Sequence, residues 1–223
     1  TTGVGTARNQ LAAAGYGSDK AIFGFGDTGS YTAITNLVNN SGVVASDTAG
    51  VGTARINLAA TTYGTDKVIF GYGDNGSNVS LTNLVSNSGV VASDTTGVGT
   101  ARDQIAAAGY GSTGQALFGY GNTGAGFLSV TNLISNSGVV SADTAGVGTT
   151  RSFLSATAYG ADKAIFGYGN NGSNLSMTNL VSNSGVVAAD VSGVGTARHA
   201  LSASRYGGDK GIFGFGISAT AIT

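Results

Sequence analysis

Arginine and aspartate recur at matched places along the chain and are the side chains with the most obvious capacity for chemistry. Each arginine ends a Gly-Val-Gly-Thr-(Ala/Thr)-Arg segment, and an aspartate precedes four of the five segments. The arginines are Arg8, Arg55, Arg102, Arg151 and Arg198, and the aspartates are Asp47, Asp94, Asp143 and Asp190. A ring of arginines could bind an anion on an axis, and paired carboxylates could transfer protons if their pKa values were shifted. The favoured hypothesis is structural: the arginines donate to loop carbonyls or to the aspartates, and the aspartates accept from nearby backbone N–H groups.

Residues for catalysis or metal binding are otherwise scarce. The chain has one histidine, His199, and no cysteine. These counts exclude the usual zinc sites and a Ser-His-Asp array repeated along the chain. We therefore expect a protein that is not an enzyme, with no catalytic residue, metal or cofactor. His199 aligns with Asn9 and Asp103, and we interpret it as a structurally neutral variant.

The spacing of the arginines reveals the organisation of the chain. Successive arginines are 47, 47, 49 and 47 residues apart, and such a constant period indicates a repeat architecture. A unit of this size cannot bury a core alone, so the sequence predicts one body over residues 1–223. The approximate repeats are 1–48, 49–95, 96–144, 145–191 and 192–223.

Composition narrows the class of protein. Charged residues make up 9% of the chain, and the net charge is -1, whereas an average domain has about 25% charged residues. This balance carries no electrostatic footprint for nucleic acid. No apolar run approaches the roughly 18 residues of a membrane span, so membrane insertion is not expected. The absence of cysteine excludes disulfides, and 41% hydrophobic residues argue against disorder.

Each repeat is predicted to contain four short strands. In the first repeat they are Asn9 to Gly15, Lys20 to Phe25, Thr32 to Val38 and Gly42 to Ser46, separated by turn-forming segments rich in Gly, Asn, Asp and Ser. The second strand is apolar on both faces, which indicates a sheet covered on both sides. The pattern predicts an all-β protein.

Four strands in a repeat of this length favour a five-bladed β-propeller of four-stranded antiparallel blades. The Ala- and Gly-rich first strands would lie innermost, and a β-solenoid is the alternative architecture. The last blade is predicted to be incomplete, because Thr223 aligns with Thr35 in the third strand. The chain would then be part of a longer protein, or the blade would have three strands, or a neighbouring molecule would complete its open edge.

The order of an arginine, a short strand and an apolar strand ending in Gly-(Phe/Tyr)-Gly resembles the kelch repeat. The segments Gly24-Phe25-Gly26 and Gly71-Tyr72-Gly73 stand in place of the kelch glycine pair, and the downstream Tyr and Trp are absent. The near-identical repeats also resemble repetitive marine bacteriophage proteins of virions or tail fibres. These resemblances imply a propeller that serves as a structural or adhesive component of a virion or extracellular surface assembly. Its partners would be other subunits, reached through the open edge of the fifth blade.

The loop after the second strand is the candidate ligand site. It combines an aromatic residue with Asp or Asn, the pairing that a carbohydrate site needs: a flat apolar platform and hydrogen-bonding groups. The candidate residues are Phe25, Asp27, Tyr72, Asp74, Asn75, Tyr120, Asn122, Phe127, Tyr168 and Asn170. An insertion at 124–127 sets the third repeat apart, and insertions in repeat proteins often mark the binding face. This pattern supports an alternative function, a lectin-like module for surface glycans. The competing hypothesis is that the aromatic residues pack between blades.

Overall fold

A computed structural model of the chain describes residues 4–218, which form fourteen β-strands and no helix. The predicted all-β class is therefore confirmed. The strands are β1 Ala12–Tyr16, β2 Lys20–Gly24, β3 Thr35–Val38, β4 Ala59–Tyr63, β5 Lys67–Gly71, β6 Thr82–Val85, β7 Ala106–Tyr110, β8 Gln115–Asn122, β9 Phe127–Ile134, β10 Ser155–Tyr159, β11 Lys163–Asn170, β12 Asn174–Val181, β13 Ser202–Tyr206 and β14 Lys210–Gly214. The shortened third strand predicted for the fifth repeat lies outside the described residues.

The strands form five small antiparallel sheets, one for each repeat, with neighbouring strands paired in chain order. Sheet 1 is β1–β3, sheet 2 is β4–β6, sheet 3 is β7–β9, sheet 4 is β10–β12 and sheet 5 is β13–β14. In each sheet a tight turn joins the first two strands, as in the register that pairs Tyr16 with Lys20. The second strand is central in sheets 1 to 4.

The prediction of a fourth strand in each repeat was wrong. The segment predicted as a strand from Gly42 to Ser46 makes only one isolated bridge to β3, at Val38–Val44, and Thr48 just beyond it makes a second, to Thr35. Between these bridges the amide of the buried Asn36 donates to the carbonyl of Ala45, at 3.1 Å, and to Asp47. A side chain thus takes the place of part of the backbone ladder, and the segment remains an extended edge.

The core lies between consecutive sheets. Tyr16, Ile22 and Phe25 of sheet 1 form one apolar cluster with residues of sheet 2, including Leu58 and Phe70. Equivalent clusters join sheets 2 and 3 and sheets 3 and 4. In β5, both faces are buried between the neighbouring sheets, as the apolar sequence of the second strands predicted.

The first strands of all five sheets line a common cavity of about 530 Å³, and β1, β4, β7, β10 and β13 lie side by side in that order. Its wall is mainly Ala, Gly and Thr, including Ala13, Ala60, Ala107, Ala156 and Ala203. Just before each first strand, a backbone N–H donates to the equivalent carbonyl of the preceding sheet. The four bonds run from Asn57 to Gln10, from Gln104 to Asn57, from Phe153 to Gln104 and from Ala200 to Phe153.

Candidate functional site

Each contact between consecutive sheets is centred on an aromatic residue that lies beneath an arginine of the next repeat. The guanidinium carbon of Arg55 lies 4.3 Å from the ring centroid of Phe25, and that of Arg102 lies 4.4 Å from Tyr72. Arg151 over Tyr120 and Arg198 over Tyr168 repeat this geometry. Cation–π attraction is strongest where both groups are removed from water, so the stack contributes to holding the sheets together.

A phenylalanine of the next sheet packs against the same aromatic ring. The ring centroids of Phe25 and Phe70 are 5.2 Å apart, and those of Tyr72 and Phe118 are 5.1 Å apart with an edge-on geometry. Tyr120–Phe166 and Tyr168–Phe213 continue the series. These tilted arrangements suit the aromatic quadrupole. We call this unit of aromatic residue, arginine and phenylalanine the interface motif.

Hydrogen bonds fix the arginine in three of the four motifs, whereas buried Nε of Arg198 in the fourth has no acceptor among the described residues. Arg102 donates from Nε to the carbonyl of Tyr120 at 2.7 Å, and its terminal nitrogens reach the carbonyl of Thr100 and Oδ1 of Asn132. Arg55 repeats this pattern, whereas buried Nε of Arg151 has no acceptor among the described residues. The arginines thus donate to carbonyls, as the structural hypothesis predicted.

Burial lowers the pKa of Arg55 to about 10, although the Asp94 carboxylate opposes the shift. The guanidinium therefore remains charged at neutral pH. Arg55, Arg102 and Arg151 have no exposed surface and do not line the cavity between the first strands. The hypothesis of an anion bound on the axis by a ring of arginines is therefore wrong for these three.

The aspartates bind partners far away in the sequence. Asp94 accepts the N–H and the hydroxyl of Thr53, at 2.9 and 2.7 Å, and the amide of Asn83 at 2.9 Å. Thr53 lies 41 residues earlier in the chain, so the expectation of local turn bonds was wrong. Partial burial disfavours the charged carboxylate, but the hydrogen bonds from Thr53 and Asn83 prevail and lower the pKa of Asp94. The carboxylate joins the beginning of a repeat to its end.

The Gly-(Phe/Tyr)-Gly segment gives the aromatic residue its position. Tyr120 has a φ of 63° and interrupts the β8–β9 ladder, whose register shifts between Gly119 and Gly121. Gly121 has a φ of 114°, and a Cβ there would lie 2.6 Å from the carbonyl oxygen of Asp103. Only glycine tolerates both conditions. The left-handed residue turns its ring out of the ladder and into the contact with sheet 4.

The tyrosine hydroxyls of the motif are also bonded. Tyr72 donates to the carbonyl of Val98 at 3.0 Å, and Tyr120 donates to that of Val147 at 3.1 Å. Burial raises the pKa of each tyrosine to about 12, although the neighbouring arginine lowers it. Both phenols are therefore neutral at physiological pH.

The four aromatic residues predicted to form a glycan platform lie in these contacts. Phe25, Tyr72 and Tyr120 are 0% exposed, and Tyr168 is 9% exposed. Their rings are enclosed by the arginine and phenylalanine of the next sheet, so they cannot stack on a sugar in this arrangement. The expectation of an aromatic platform is corrected accordingly, because the neighbouring sheet supplies the cover.

The polar residues predicted as ligand contacts lie in the loops, but their side chains form hydrogen bonds with the backbone of the same loop. Asp27, Asp74, Asn122 and Asn170 each accept, through Oδ1, the N–H of the residue two positions later, at 2.7–2.8 Å. Asn75 accepts similarly from Ser77. These are Asx turns. Phe127 is half-buried and pairs with Asn122 in the β8–β9 ladder.

Sequence analysis missed Tyr31, which is 40% exposed beside the loops of sheets 1 and 2. Partial desolvation raises its pKa, and the carboxylates of Asp74 and Asp27 raise it further. At the matching position Asn78 and Asn174 instead donate to carbonyls of the next sheet, at 2.9 and 3.1 Å. The detectable signal was this change from asparagine to tyrosine in one repeat.

Four buried asparagines were also missed. Asn36, Asn83, Asn132 and Asn179 each accept from the arginine of their own repeat and donate to the aspartate of the same repeat. The recurrent Thr-Asn-Leu-(Val/Ile) of the third strand was the available signal. His199 donates from Nδ1 to Oδ1 of Asn174 at 2.7 Å, which supports a structural role.

Comparison with known protein families and with curated proteins returns no match. Among residues 4–218, no group of three or more His, Asp or Glu side chains is arranged to hold a metal ion. Over the same span, no helix has the length and apolar character needed to cross a membrane. Function must therefore be argued from the contacts between sheets and from the surfaces they leave open.

Proposed function

We propose that this chain is a non-enzymatic structural building block of a virion or extracellular surface assembly, folded as a five-bladed, kelch-like propeller whose ring is open between the fifth sheet and the first. The observation that carries the proposal is a contact made four times inside the chain and left uncovered on the fifth sheet. The motif residue Phe215 is 76% exposed, whereas its counterpart Phe25 is fully buried. Large apolar surfaces left open in this way mark interaction sites.

The arrangement of the first strands supports the propeller. All five border one cavity, and the backbone bonds before them connect the sheets in order. Blades around a shared axis produce both features, whereas a long stack of sheets would separate the first strand from the fifth. Small-angle X-ray scattering of dilute protein tests this proposal. A radius of gyration of about 17 Å is expected for a compact body of this length, and a markedly larger, rod-like value would overturn it.

The use of polar groups supports a structural rather than a catalytic role. The arginines, aspartates and asparagines that recur in every repeat bond to one another and to the backbone. A broad assay for glycoside, ester and peptide hydrolysis tests this role. We expect no turnover above a preparation unfolded by heat, and turnover abolished by Asp74→Asn would contradict the proposal.

The proposed surface location is supported by the resemblance to phage virion proteins and by the low charge and covered strands of the chain. Immunoelectron microscopy tests this location, with antibodies raised against the purified protein and particles isolated from the organism that produces it. Labelling of particle surfaces is expected. Label confined to the interior of cells would contradict the location.

A second candidate function is glycan binding, now centred on Tyr31 rather than on the buried rings. An exposed ring beside the carboxylates of Asp27 and Asp74 offers stacking and hydroxyl-binding groups together. A glycan panel should then show binding that is lost in Tyr31→Ala. The variant Val139→Ala, at an exposed site in the third repeat that belongs to neither end of the chain, is the control. Equal binding by both variants would remove this candidate.

A further inference from the structure

The two ends of the chain expose opposite halves of the same contact. We define the tail face as Tyr206, Ile212 and Phe215 of sheet 5 and its exit, and the head face as Leu11, Ala21, Phe23 and Val38 of sheet 1. Each residue is equivalent, at the repeat spacing, to one that is buried between sheets elsewhere in the chain.

The contact between sheets 1 and 2 shows how these halves fit. Tyr16, Ile22 and Phe25, the equivalents of the tail face, share one buried cluster with residues of sheet 2. The sheet 2 members that correspond to the head face are Leu58, Val68, Phe70 and Val85. All seven residues are at most 6% exposed.

Both faces are open in the same molecule. Tyr206, Ile212 and Phe215 are 53%, 55% and 76% exposed. On the head face, Leu11 is 37% exposed, against 6% for Leu58, and Phe23 is half-buried, whereas Phe70 is fully buried. The chain's own head therefore does not cover its tail.

The polar groups of the head are already in place for such a contact. Arg8 donates to the carbonyl of Phe25 at 2.9 Å and to Asn36 at 2.6 Å, as Arg55 and Arg102 do at the equivalent positions. Its side chain is 3% exposed, so the open part of the head face is apolar. The backbone hydrogen bonds that connect consecutive sheets before their first strands also leave one group over at each end. Among residues 4–218, the N–H of Gln10 and the carbonyl of Ala200 have no backbone partner.

We propose that the tail face of one copy packs on the head face of a second copy and so adds a fifth interface motif to the four within each chain. This inference rests on the proposed role as a building block and names its partner. The contact is heterologous, because two different surfaces meet, so it propagates into a filament or closes into a ring of copies. It joins sheet to sheet through apolar faces and does not depend on strand pairing at an open edge.

Complementary variants test the proposal by sedimentation velocity over a range of concentrations. Leu11→Asp blocks the head and Phe215→Asp blocks the tail, and both sites are exposed, so the variants should fold as the parent does. We expect the parent to assemble and each variant alone to remain monomeric. A mixture of the two should form a one-to-one dimer and nothing larger, because only one head and one tail remain intact. Val139→Asp, at an exposed site far from both faces, should assemble like the parent.

Three results would overturn the inference. These are a parent that stays monomeric at every concentration, a blocked variant that still assembles, and a mixture that remains monomeric. If the parent is monomeric and both blocked variants are less thermally stable than the parent, the head and tail faces meet within one chain. The second-copy contact would then be wrong, but the five-bladed propeller would be retained. Conversely, the two blocked variants could form one-to-one dimers while scattering shows rod-like monomers. That result would support the contact between head and tail faces and exclude the propeller fold.

Discussion

Phe25 and Phe215 are the same residue in the same local sequence, yet their environments are opposite. Each follows the apolar second strand, lies between two glycines and adopts a left-handed φ, of 65° and 61° respectively. Phe25 is fully buried and Phe215 is 76% exposed. The Gly-Phe-Gly segment therefore fixes the conformation of the aromatic residue, while the following sheet alone determines its burial.

This comparison shows that each repeat is a half-finished unit. The aromatic residue, its arginine and its packing phenylalanine come from two different sheets, so one repeat cannot complete an interface motif. Stability in such proteins is close to a sum of repeat terms and nearest-neighbour contacts. The inner sheets have two neighbours, whereas the described fifth sheet has one, and substitutions should reveal that difference.

The largest effect is expected for Arg102→Ala. The substitution removes the bonds to Tyr120, Thr100 and Asn132 and leaves Asp143 without its nearby cation. The acceptors that lose their donor on Asn132 and Tyr120 are buried, and each unsatisfied buried polar group costs about 1–3 kcal/mol. Urea unfolding measures the change in the free energy of unfolding. Arg205→Ala, at an exposed position, is the control, and equal losses for both variants would contradict the role of the buried arginine.

The comparison itself is tested by Phe25→Ala and Phe215→Ala. Truncating a buried phenylalanine costs about 3–5 kcal/mol, whereas an exposed one changes stability by about 0.5 kcal/mol or less. Urea unfolding at low protein concentration, where copies do not cover one another, provides both values. Similar losses at the two sites would mean that the tail face is covered within the chain.

A smaller effect is expected for two equivalent glycines, one that faces the next sheet and one that does not. A Cβ at Gly119 would lie 2.7 Å from the Phe166 ring of the next sheet, whereas at Gly214 it would meet nothing within 4 Å. Gly119→Ala should therefore cost about 1–3 kcal/mol through overpacking, and Gly214→Ala should leave stability unchanged or slightly increased. Thermal and urea unfolding of both variants measure this, and a neutral Gly119→Ala would show that the sheets are less closely packed than described.

The smallest expected effect is on acid stability. Partial burial opposes ionisation of Asp143, but hydrogen bonds from Thr100 and Asn132 lower its pKa. A folded-state pKa below the unfolded value of about 3.9 stabilises the fold above that pH, and this stabilisation is lost as the pH falls towards the folded-state value. Unfolding free energies measured between pH 6 and pH 3 should therefore decline less in Asp143→Asn than in the parent. Ser112→Ala, in an exposed turn, carries no titratable group and should follow the parent, and identical slopes for Asp143→Asn and the parent would refute the assignment.

Features set by local sequence and by the period were predictable. The repeats, the hairpin of the first two strands and the burial of the second strand followed from spacing, turn residues and apolar runs. The partner of Asp94 was not predictable, because Thr53 is 41 residues away and the bond depends on how a repeat folds back on itself. The fourth strand was wrongly predicted for the same reason, because the Asn36 side chain reaches a residue elsewhere in the repeat and replaces ladder bonds there. For Phe25, sequence alone could not decide between a ligand platform and packing, because the Arg55 and Phe70 that cover it belong to the next repeat.

Hydroxyl-radical footprinting with mass spectrometry tests the central claim most directly, namely that one interface motif is buried four times and uncovered once. Phe25 and Phe215 are compared in the same dilute sample, with Tyr16 and Tyr206 as a second matched pair. The account predicts rapid oxidation of Phe215 and Tyr206 and strong protection of Phe25 and Tyr16. Equal protection of both pairs at every dilution would contradict it, because the last sheet would then be covered within its own chain.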